Sequence, residues 1–386
     1  MAKTHRKLKT KRKFNPKTRA KGSLRKARRR VGKVELSKDV YERLADALDK
    51  LPNGFPRTKS KIEIAILRKI FSSEEASLAS QLSRQMDSVG AIANRAGVSV
   101  EEAEARLTDM AKRRLLWSDK HDGKQRFRLA PFVVGIYEAQ RERMDHEFAH
   151  LIEEYMTSGG AVGIMKPQPA LHRVIPAQQA VKSEWILPYD DVKKVLLSSK
   201  SFRLNDCICR MQQDHLGRRC SFPLRTCLSF STAERPPTLL DITKDEALAY
   251  LDKAEEMGLV HTVSNVMKGL GYVCNCCGCC CGILRGITDW GIENSVAQAN
   301  YFAAIDPEKC LGCEKCVKRC QVHAVSKKNR VAEVDRKHCI GCGLCVTGCP
   351  SGAATLQRKP SAETIHPPPD FEAWEDQRLR DRGLIK

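Results

Sequence analysis

Residues 310–320 read CLGCEKCVKRC, and residues 339–350 read CIGCGLCVTGCP. Each stretch has the spacing C-x2-C-x2-C-x3-C, and the second ends in Pro350. This spacing is typical of chains that bind two 4Fe–4S clusters, in which each run gives three thiolates to one cluster and its fourth thiolate to the other. The two runs predict one cluster on Cys310, Cys313, Cys316 and Cys349 and a second cluster on Cys339, Cys342, Cys345 and Cys320.

Zinc and disulfide bonds explain these eight cysteines less well. A zinc site needs only four ligands, usually as a C-x2-C pair followed by a longer gap. Disulfide frameworks belong to oxidising compartments, and the basic N-terminus lacks the apolar segment of a secretory signal. The sequence therefore predicts a two-cluster domain of ferredoxin type over residues 300–360, followed by a C-terminal tail over residues 361–386.

Ten more cysteines lie in a region predicted to extend over residues 186–299. Four have the spacing C-x-C-x10-C-x6-C, and six stand within the segment CNCCGCCCG. The ten are Cys207, Cys209, Cys220, Cys227, Cys274, Cys276, Cys277, Cys279, Cys280 and Cys281. Thiolates favour iron–sulfur clusters, zinc or copper(I). Because the chain already has a ferredoxin pattern, we expect at least one additional iron–sulfur cluster here, with zinc or a metal-free redox dithiol as the alternatives.

Four arginines stand close to the first of these cysteines: Arg210, Arg218, Arg219 and Arg225. Nearby cations favour thiolates and raise the reduction potential of a cluster. The alternative is that the arginines are solvated or pair with surface acids. The sequence leaves both interpretations open.

The region over residues 38–157 is predicted to be helical. Ser72 and Ser99 are each followed three residues later by glutamate, which is the pattern of a capping box at a helix start. A hairpin is predicted farther along, with Asp122 and Gly123 at its tip. Two helices followed by a hairpin are the order of a winged helix-turn-helix.

DNA recognition by this region would place the start of the second helix in the major groove. That helix begins with Glu101, Glu102 and Glu104, whose carboxylates would repel phosphate. We therefore expect a structural module rather than a DNA reader. Residues 158–185, rich in Gly, Pro and Gln, are predicted to be an inter-domain linker on the surface.

The N-terminal tail, residues 1–36, carries most of the net charge of +21, since residues 1–33 include sixteen Lys or Arg and no Asp or Glu. Such a segment is predicted to be disordered. Residues 1–34 are a candidate for non-specific contact with a polyanion. The alternatives are a solvated extension or a start codon placed too early in the reading frame.

The chain resembles a family of 4Fe–4S dicluster ferredoxin-domain proteins of anaerobic bacteria. The resemblance rests on residues 48–80, on residues 131–145, on the motifs CICR and CNCCGCCCG, and on the C-terminal cysteine runs. It covers roughly residues 40–358 and implies 4Fe–4S binding and electron transfer. Gln321 departs from the pattern, because many ferredoxins have proline directly after the fourth cysteine of a run.

The expected architecture is thus an α+β multidomain chain with winged-helix-like, cysteine-rich and ferredoxin-like parts. The expected function is cytoplasmic relay of single electrons to or from a partner oxidoreductase. No run of 18 apolar residues predicts a membrane span, and no glycine-rich loop indicates NAD or flavin. The alternatives are a redox-responsive winged-helix regulator that binds DNA, and a catalytic iron–sulfur oxidoreductase subunit that uses the CNCCGCCCG site.

Overall fold

The computed structural model of this protein describes residues 39–386. The basic tail predicted over residues 1–36, and the polyanion contact predicted for residues 1–34, lie outside the described residues. Residues 39–386 form one compact unit of mixed helix and sheet, which confirms the α+β class. Within this part of the chain, no helix is both long and apolar enough to cross a lipid bilayer.

The N-terminal part is mainly helical and carries a small three-stranded sheet. Its elements are α1 (Val40–Asp49), α2 (Ile62–Ile70), α3 (Ser73–Ala79), β1 (Asp87–Ser88), α4 (Val89–Ala96), α5 (Val100–Lys112), β2 (Leu116–His121), β3 (Lys124–Leu129), α6 (His146–Tyr155) and α7 (Ala161–Met165). The strands pair in the order β1-β3-β2. Leu44 and Leu48 lie one turn apart on α1 and are both buried, as the helical period of apolar residues requires.

The local signals in this part fold as the sequence predicts. Ser72 and Glu75 form a reciprocal capping box at the start of α3. At α5, the Ser99 hydroxyl accepts a hydrogen bond from the backbone N–H of Glu102 at 3.1 Å. The turn between β2 and β3 has positive φ at both Asp122 (49°) and Gly123 (74°), which is the backbone of a type I′ hairpin.

A seven-stranded sheet forms the centre of the molecule. Its strands are β4 (His172–Ile175), β5 (Ser201–Asp206), β6 (Arg225–Ser231), β7 (Asp241–Ile242), β8 (Val260–Ser264), β9 (Tyr272–Cys276) and β10 (Val296–Ala297). They pair in the order β10-β4-β8-β9-β6-β5-β7, with only β10 and β4 parallel. The accompanying helices are α8 (Val192–Leu197), α9 (Ile208–His215), α10 (Lys244–Met257) and α11 (Gly282–Thr288). Apolar residues of α8 and α10 pack on the sheet around Leu228 and Val273.

The prediction of a surface linker over residues 158–185 is wrong, because this segment contains α7 and the buried strand β4. Strand β4 pairs with β8 on one side and β10 on the other. Two of its four residues are polar, so the composition of the segment did not indicate a buried strand. In the interior His172 contacts the hydroxyl groups of Tyr272 and Thr262, and Arg173 pairs with the buried Asp190.

The ferredoxin-like part is built from two similar halves. Its elements are β11 (Tyr301–Ile305), α12 (Lys315–Arg319), β12 (Val325–Lys328), β13 (Val331–Val334), α13 (Leu344–Thr347) and β14 (Ala354–Arg358). The first and last strands pair antiparallel, β11 with β14, while β12 pairs with β13. This pairing brings the start and the end of the segment together, so cysteines of both runs meet in the interior.

The C-terminal segment, predicted as a tail over residues 361–386, instead contains the packed helix α14 (Phe371–Asp381). Arg378 is fully buried and donates hydrogen bonds to the backbone carbonyls of Pro52, Pro167, Pro169 and Ile164. The helix is otherwise mostly polar, so its apolar pattern is too weak to predict burial. One arginine that caps several carbonyl groups holds the helix in place.

Candidate metal centres

The first ferredoxin site draws its thiols from both cysteine runs. The turn before α12 contains Cys310 and Cys313, and α12 itself contains Cys316. Cys349 follows α13. All four line the same small cavity. Thiols of both runs meet here because β11 pairs with β14. This pairing places the end of the second run next to the start of the first. Four converging thiols of this kind fit one 4Fe–4S cluster.

The second ferredoxin site contains the remaining four thiols, those of Cys320, Cys339, Cys342 and Cys345. Burial raises the pKa of Cys345 to about 12, and the charges of Cys339 and Cys320 add to this rise. Burial also raises the pKa of Cys342, with contributions from Cys345, Cys320 and Cys339. Thiols that are costly to ionise when crowded together require a cation to hold them as thiolates. This second quartet therefore also fits a cluster.

Backbone N–H groups point at sulfur in both ferredoxin sites. Their donors are Ala332 to Cys310 at 3.5 Å, Ala354 to Cys349 at 3.4 Å, Ala324 to Cys320 at 3.1 Å and Ala303 to Cys339 at 3.5 Å. Each site thus has two such contacts. Hydrogen bonds to cluster sulfurs are one of the features that set a reduction potential, so the backbone itself supports the bound state.

The ten central cysteines divide into two groups in space. One group, here called the thiol quartet, consists of Cys220, Cys277, Cys279 and Cys280, whose sulfur atoms all lie within 4.8 Å of one another. The Sγ–Sγ distances are 3.7 Å from Cys220 to Cys277, 3.5 Å from Cys220 to Cys280 and 3.8 Å from Cys279 to Cys280. This grouping could not be predicted from spacing along the chain, because Cys220 lies far from the other three cysteines.

The other six thiols line a cavity of about 100 Å³ between the sheet, α6 and α9. They are called the cavity thiols here and belong to Cys207, Cys209, Cys227, Cys274, Cys276 and Cys281. Apolar side chains such as Phe132, Ile152 and Ile283 form much of the remaining wall, and Cys280 of the thiol quartet borders the same space. The volume is several times the ~10–15 Å³ that one water requires, so thiols and space together fit a polynuclear cluster.

Neighbouring cavity thiols shift one another's pKa values. Hydrogen bonds with the thiols of Cys274 and Cys281 lower the pKa of Cys276. The pKa of Cys274 is raised most by its hydrogen bond with Cys227, and then by its hydrogen bond with Cys276 and by burial. The cavity also contains Glu138, whose pKa is raised by burial. A set of neighbouring buried thiols with opposed shifts is the environment of a metal site rather than of ordinary core packing.

Only one of the four arginines that stand near the first cysteines in the sequence is buried beside sulfur. Arg210 is fully buried and donates to Cys277 Sγ at 3.4 Å and to the carbonyl of Asn275 at 3.1 Å. The other three pair with acids: Arg218 with the half-buried Glu153, Arg219 with Asp214 and Arg225 with Asp206. Of these four, Arg210 is therefore the arginine placed to act on the central thiols. Arg141, which the sequence did not indicate, lines the cavity beside Cys227.

The ferredoxin-like part contacts the central cysteine segment through Gln321, the residue after Cys320. The backbone N–H of Gly278 donates to Gln321 Oε1 at 2.9 Å, and Gln321 Nε2 donates to the carbonyl of Gly258, also at 2.9 Å. Gly278 stands between two members of the thiol quartet. The absence of the usual proline after the fourth cysteine was the one sequence signal for this contact.

Residues 303–356 match the family model described as a 4Fe–4S dicluster domain. The match indicates two 4Fe–4S clusters in this part of the chain and supports an iron–sulfur electron-transfer protein. No curated protein matches the chain. The match covers the ferredoxin-like part only, and the central cysteines lie before it.

Proposed function

We propose that this protein relays single electrons to or from a partner oxidoreductase through two ferredoxin-type 4Fe–4S clusters and a further cluster on the cavity thiols. The match of residues 303–356 to a dicluster domain carries the proposal. One cluster is assigned to Cys310, Cys313, Cys316 and Cys349, and the other to Cys339, Cys342, Cys345 and Cys320. The clusters supply the redox chemistry, and the chain supplies their ligands, their shielding and a docking surface.

The further cluster is assigned to the cavity because six thiols line one largely apolar space. A 4Fe–4S cube takes four thiolates, so the six cavity thiols are sufficient for one cube. The same cavity is where a catalytic oxidoreductase subunit would bind a substrate. Tyr137, Glu138, Arg141 and His172 also line the cavity. We rank that alternative below electron relay because the match to a dicluster domain supports electron transfer.

The docking surface is proposed to surround the first ferredoxin site. Cys313 is exposed at its edge, and the exposed Lys315 and Lys318 lie close to it in the chain. The exposed Arg330 lies near it in space, because its backbone packs against Gly312. Lys327 is less available, since it pairs with Glu314 at 2.6 Å. A basic surface next to an exposed cluster edge suits a redox partner with an acidic face.

The ligand exchange between the two runs is tested with three variants of the full chain, purified without oxygen. Cys349→Ser and Cys313→Ser should remove the same EPR signal of the reduced protein, since both thiols are assigned to one cluster. Cys345→Ser should remove the other signal. Each variant should lose about four iron atoms from a parent content of at least about eight.

The parent protein must also accept electrons reversibly and hold acid-labile sulfide equal to its cluster iron. If Cys349→Ser removed the signal that Cys345→Ser removes, the exchange of fourth ligands would be wrong. A parent protein without sulfide, or one whose iron cannot be reduced and reoxidised, would contradict the electron-relay function itself.

A DNA-binding regulator is the second candidate, favoured by the order of α3, α4, α5 and the β2–β3 hairpin, which is that of a winged helix. The exposed face at the start of α5 is acidic, with Glu101, Glu102 and Glu104. Two cationic side chains of the hairpin already form ion pairs, Arg126 with Asp119 and Arg128 with Glu375. The exposed Lys120 and Lys124 remain available for phosphate, but the acidic start of α5 opposes it, so we assign this part a structural role.

A further inference from the structure

We propose that the thiol quartet of Cys220, Cys277, Cys279 and Cys280 binds a single zinc ion and not an iron–sulfur cluster. The central cysteines would then form two sites of different chemistry, one polynuclear and one mononuclear. This assignment does not depend on the electron-relay function, because it rests on the spacing of the four sulfur atoms.

The distances between the sulfur atoms match those around one tetrahedral ion. Zinc holds thiolate sulfurs at about 2.3 Å in a tetrahedron, so neighbouring sulfurs lie about 3.8 Å apart. The three distances reported above are 3.5, 3.7 and 3.8 Å, and all four atoms lie within 4.8 Å of one another. One ion at the centre of the four thiols reaches each of them without a change in the backbone.

The ferredoxin quartets provide an internal comparison. In a 4Fe–4S cube each thiolate binds a different iron, so its sulfurs lie farther apart than four sulfurs around one ion. Across residues 39–386, the thiol quartet is the one group of potential ligands whose atoms all lie within 4.8 Å of one another. The thiols of the two ferredoxin sites, in the same chain, are spaced more widely, as cubes require.

The donor set selects the metal. Four thiolates without histidine or carboxylate form the closed, tetrahedral site that is typical of structural zinc. Four thiolates around a divalent ion leave a net negative charge, and the buried guanidinium of Arg210 lies 3.4 Å from Cys277 Sγ. Arg210 also donates to Thr226 Oγ1, so it is held in place beside the sulfur. Partners of this kind orient and stabilise metal ligands.

A zinc ion here would lie beside both the cavity and the contact with the ferredoxin-like part. Along CNCCGCCCG, Cys277, Cys279 and Cys280 belong to the quartet, while Cys274, Cys276 and Cys281 belong to the cavity. The cavity thiols are placed by β6, β9 and the starts of α9 and α11, so their positions do not depend on the zinc. The N–H of Gly278, within the same loop, binds Gln321. Since zinc has no redox chemistry, it would have a structural role between the redox centres and would carry no electrons.

The test compares two exposed cysteines, Cys279 of the quartet and Cys313 of the first ferredoxin site. The full chain, purified without oxygen, should contain one zinc per chain, and zinc X-ray absorption should show four sulfur neighbours at about 2.3 Å. Cys279→Ser should weaken zinc retention against a chelator at least tenfold while iron and sulfide stay unchanged. Cys313→Ser should lose iron and sulfide and keep its zinc.

Three results would overturn the proposal, and the first two need no variant. They are a parent protein without zinc on four sulfurs, and a parent with one iron on four thiolates in its place. The third is loss of about four iron and four sulfide from Cys279→Ser, which would show a cube on the quartet. None of these results bears on the ferredoxin clusters, whose own variants and EPR signals are measured separately.

Discussion

At the scale of single residues, the contact between Gly278 and Gln321 joins the central cysteines to the ferredoxin-like part. A Cβ atom added at Gly278 would lie only 1.9 Å from the carbonyl oxygen of Gln321. Proline in place of Gln321 would remove the side chain that binds Gly278 and Gly258. The departure from the usual ferredoxin pattern at this position therefore has a structural reason: the residue serves the junction and not the cluster beside it.

Gly278→Ala is expected to force this junction apart, because a carbonyl oxygen cannot yield as a flexible side chain can. Overpacking of this kind costs about 1–3 kcal/mol. The matched control is Gly271→Ala, just before β9, where the nearest atom to an added Cβ would be a carbonyl oxygen at 3.8 Å, an ordinary contact distance. Hydrogen exchange at residue 278 and the thermal unfolding midpoint should change in the first variant and hardly at all in the second. Equal behaviour of the two variants would mean that the junction is not tightly packed.

At the scale of elements, α14 shows how a mostly polar helix becomes part of the interior. Trp374 donates through its indole N–H to the carbonyl of Ala170 at 3.1 Å, and Arg378 serves four carbonyl groups on the segments before α2 and around α7. Buried backbone carbonyls need such partners. The helix therefore fastens residues that precede the central sheet to those that follow the ferredoxin-like part.

Arg378→Met is expected to destabilise the protein by about 3 kcal/mol or more, since several buried carbonyls lose their donor at once. The control is Arg380→Met on the same helix, where the side chain is exposed and the change should stay within about 0.5 kcal/mol. Denaturant midpoints measured without oxygen on cluster-loaded protein compare the two. If Arg380→Met were as destabilising as Arg378→Met, the carbonyl contacts would not explain the packing of α14.

At the scale of the whole molecule, local patterns were predictable and long-range groupings were not. The two ferredoxin runs and the capping boxes depend on residues a few positions apart, so their spacing alone indicates the structure. The thiol quartet depends on Cys220 and on a loop more than fifty residues later. Strand β4 and helix α14 depend on buried polar residues whose partners lie elsewhere in the chain, so hydrophobic pattern could not reveal them.

The long-range contacts around the cysteines change the expected order of reduction potentials. From the sequence, four arginines near the central cysteines favour a high potential there, but three of them pair with acids. The cavity is largely apolar, and adding an electron to a cluster of thiolates is harder in such surroundings. The first ferredoxin site is exposed at Cys313, and the two ferredoxin sites together receive four backbone N–H contacts to sulfur, which favour reduction.

We therefore expect the ferredoxin clusters to be reduced before the cavity centre, so that electrons pass spontaneously from the cavity toward the ferredoxin-like part. A stepwise reductive titration of the full chain, followed by EPR, measures the order. Signals absent in Cys313→Ser and Cys345→Ser should appear first, and the signal absent in Cys281→Ser should appear last. The reverse order would mean that the charge of Arg210 outweighs burial. In that case Arg210→Met should lower the potential of the cavity centre and leave those of the ferredoxin clusters unchanged, which separates the arginine's charge from other causes.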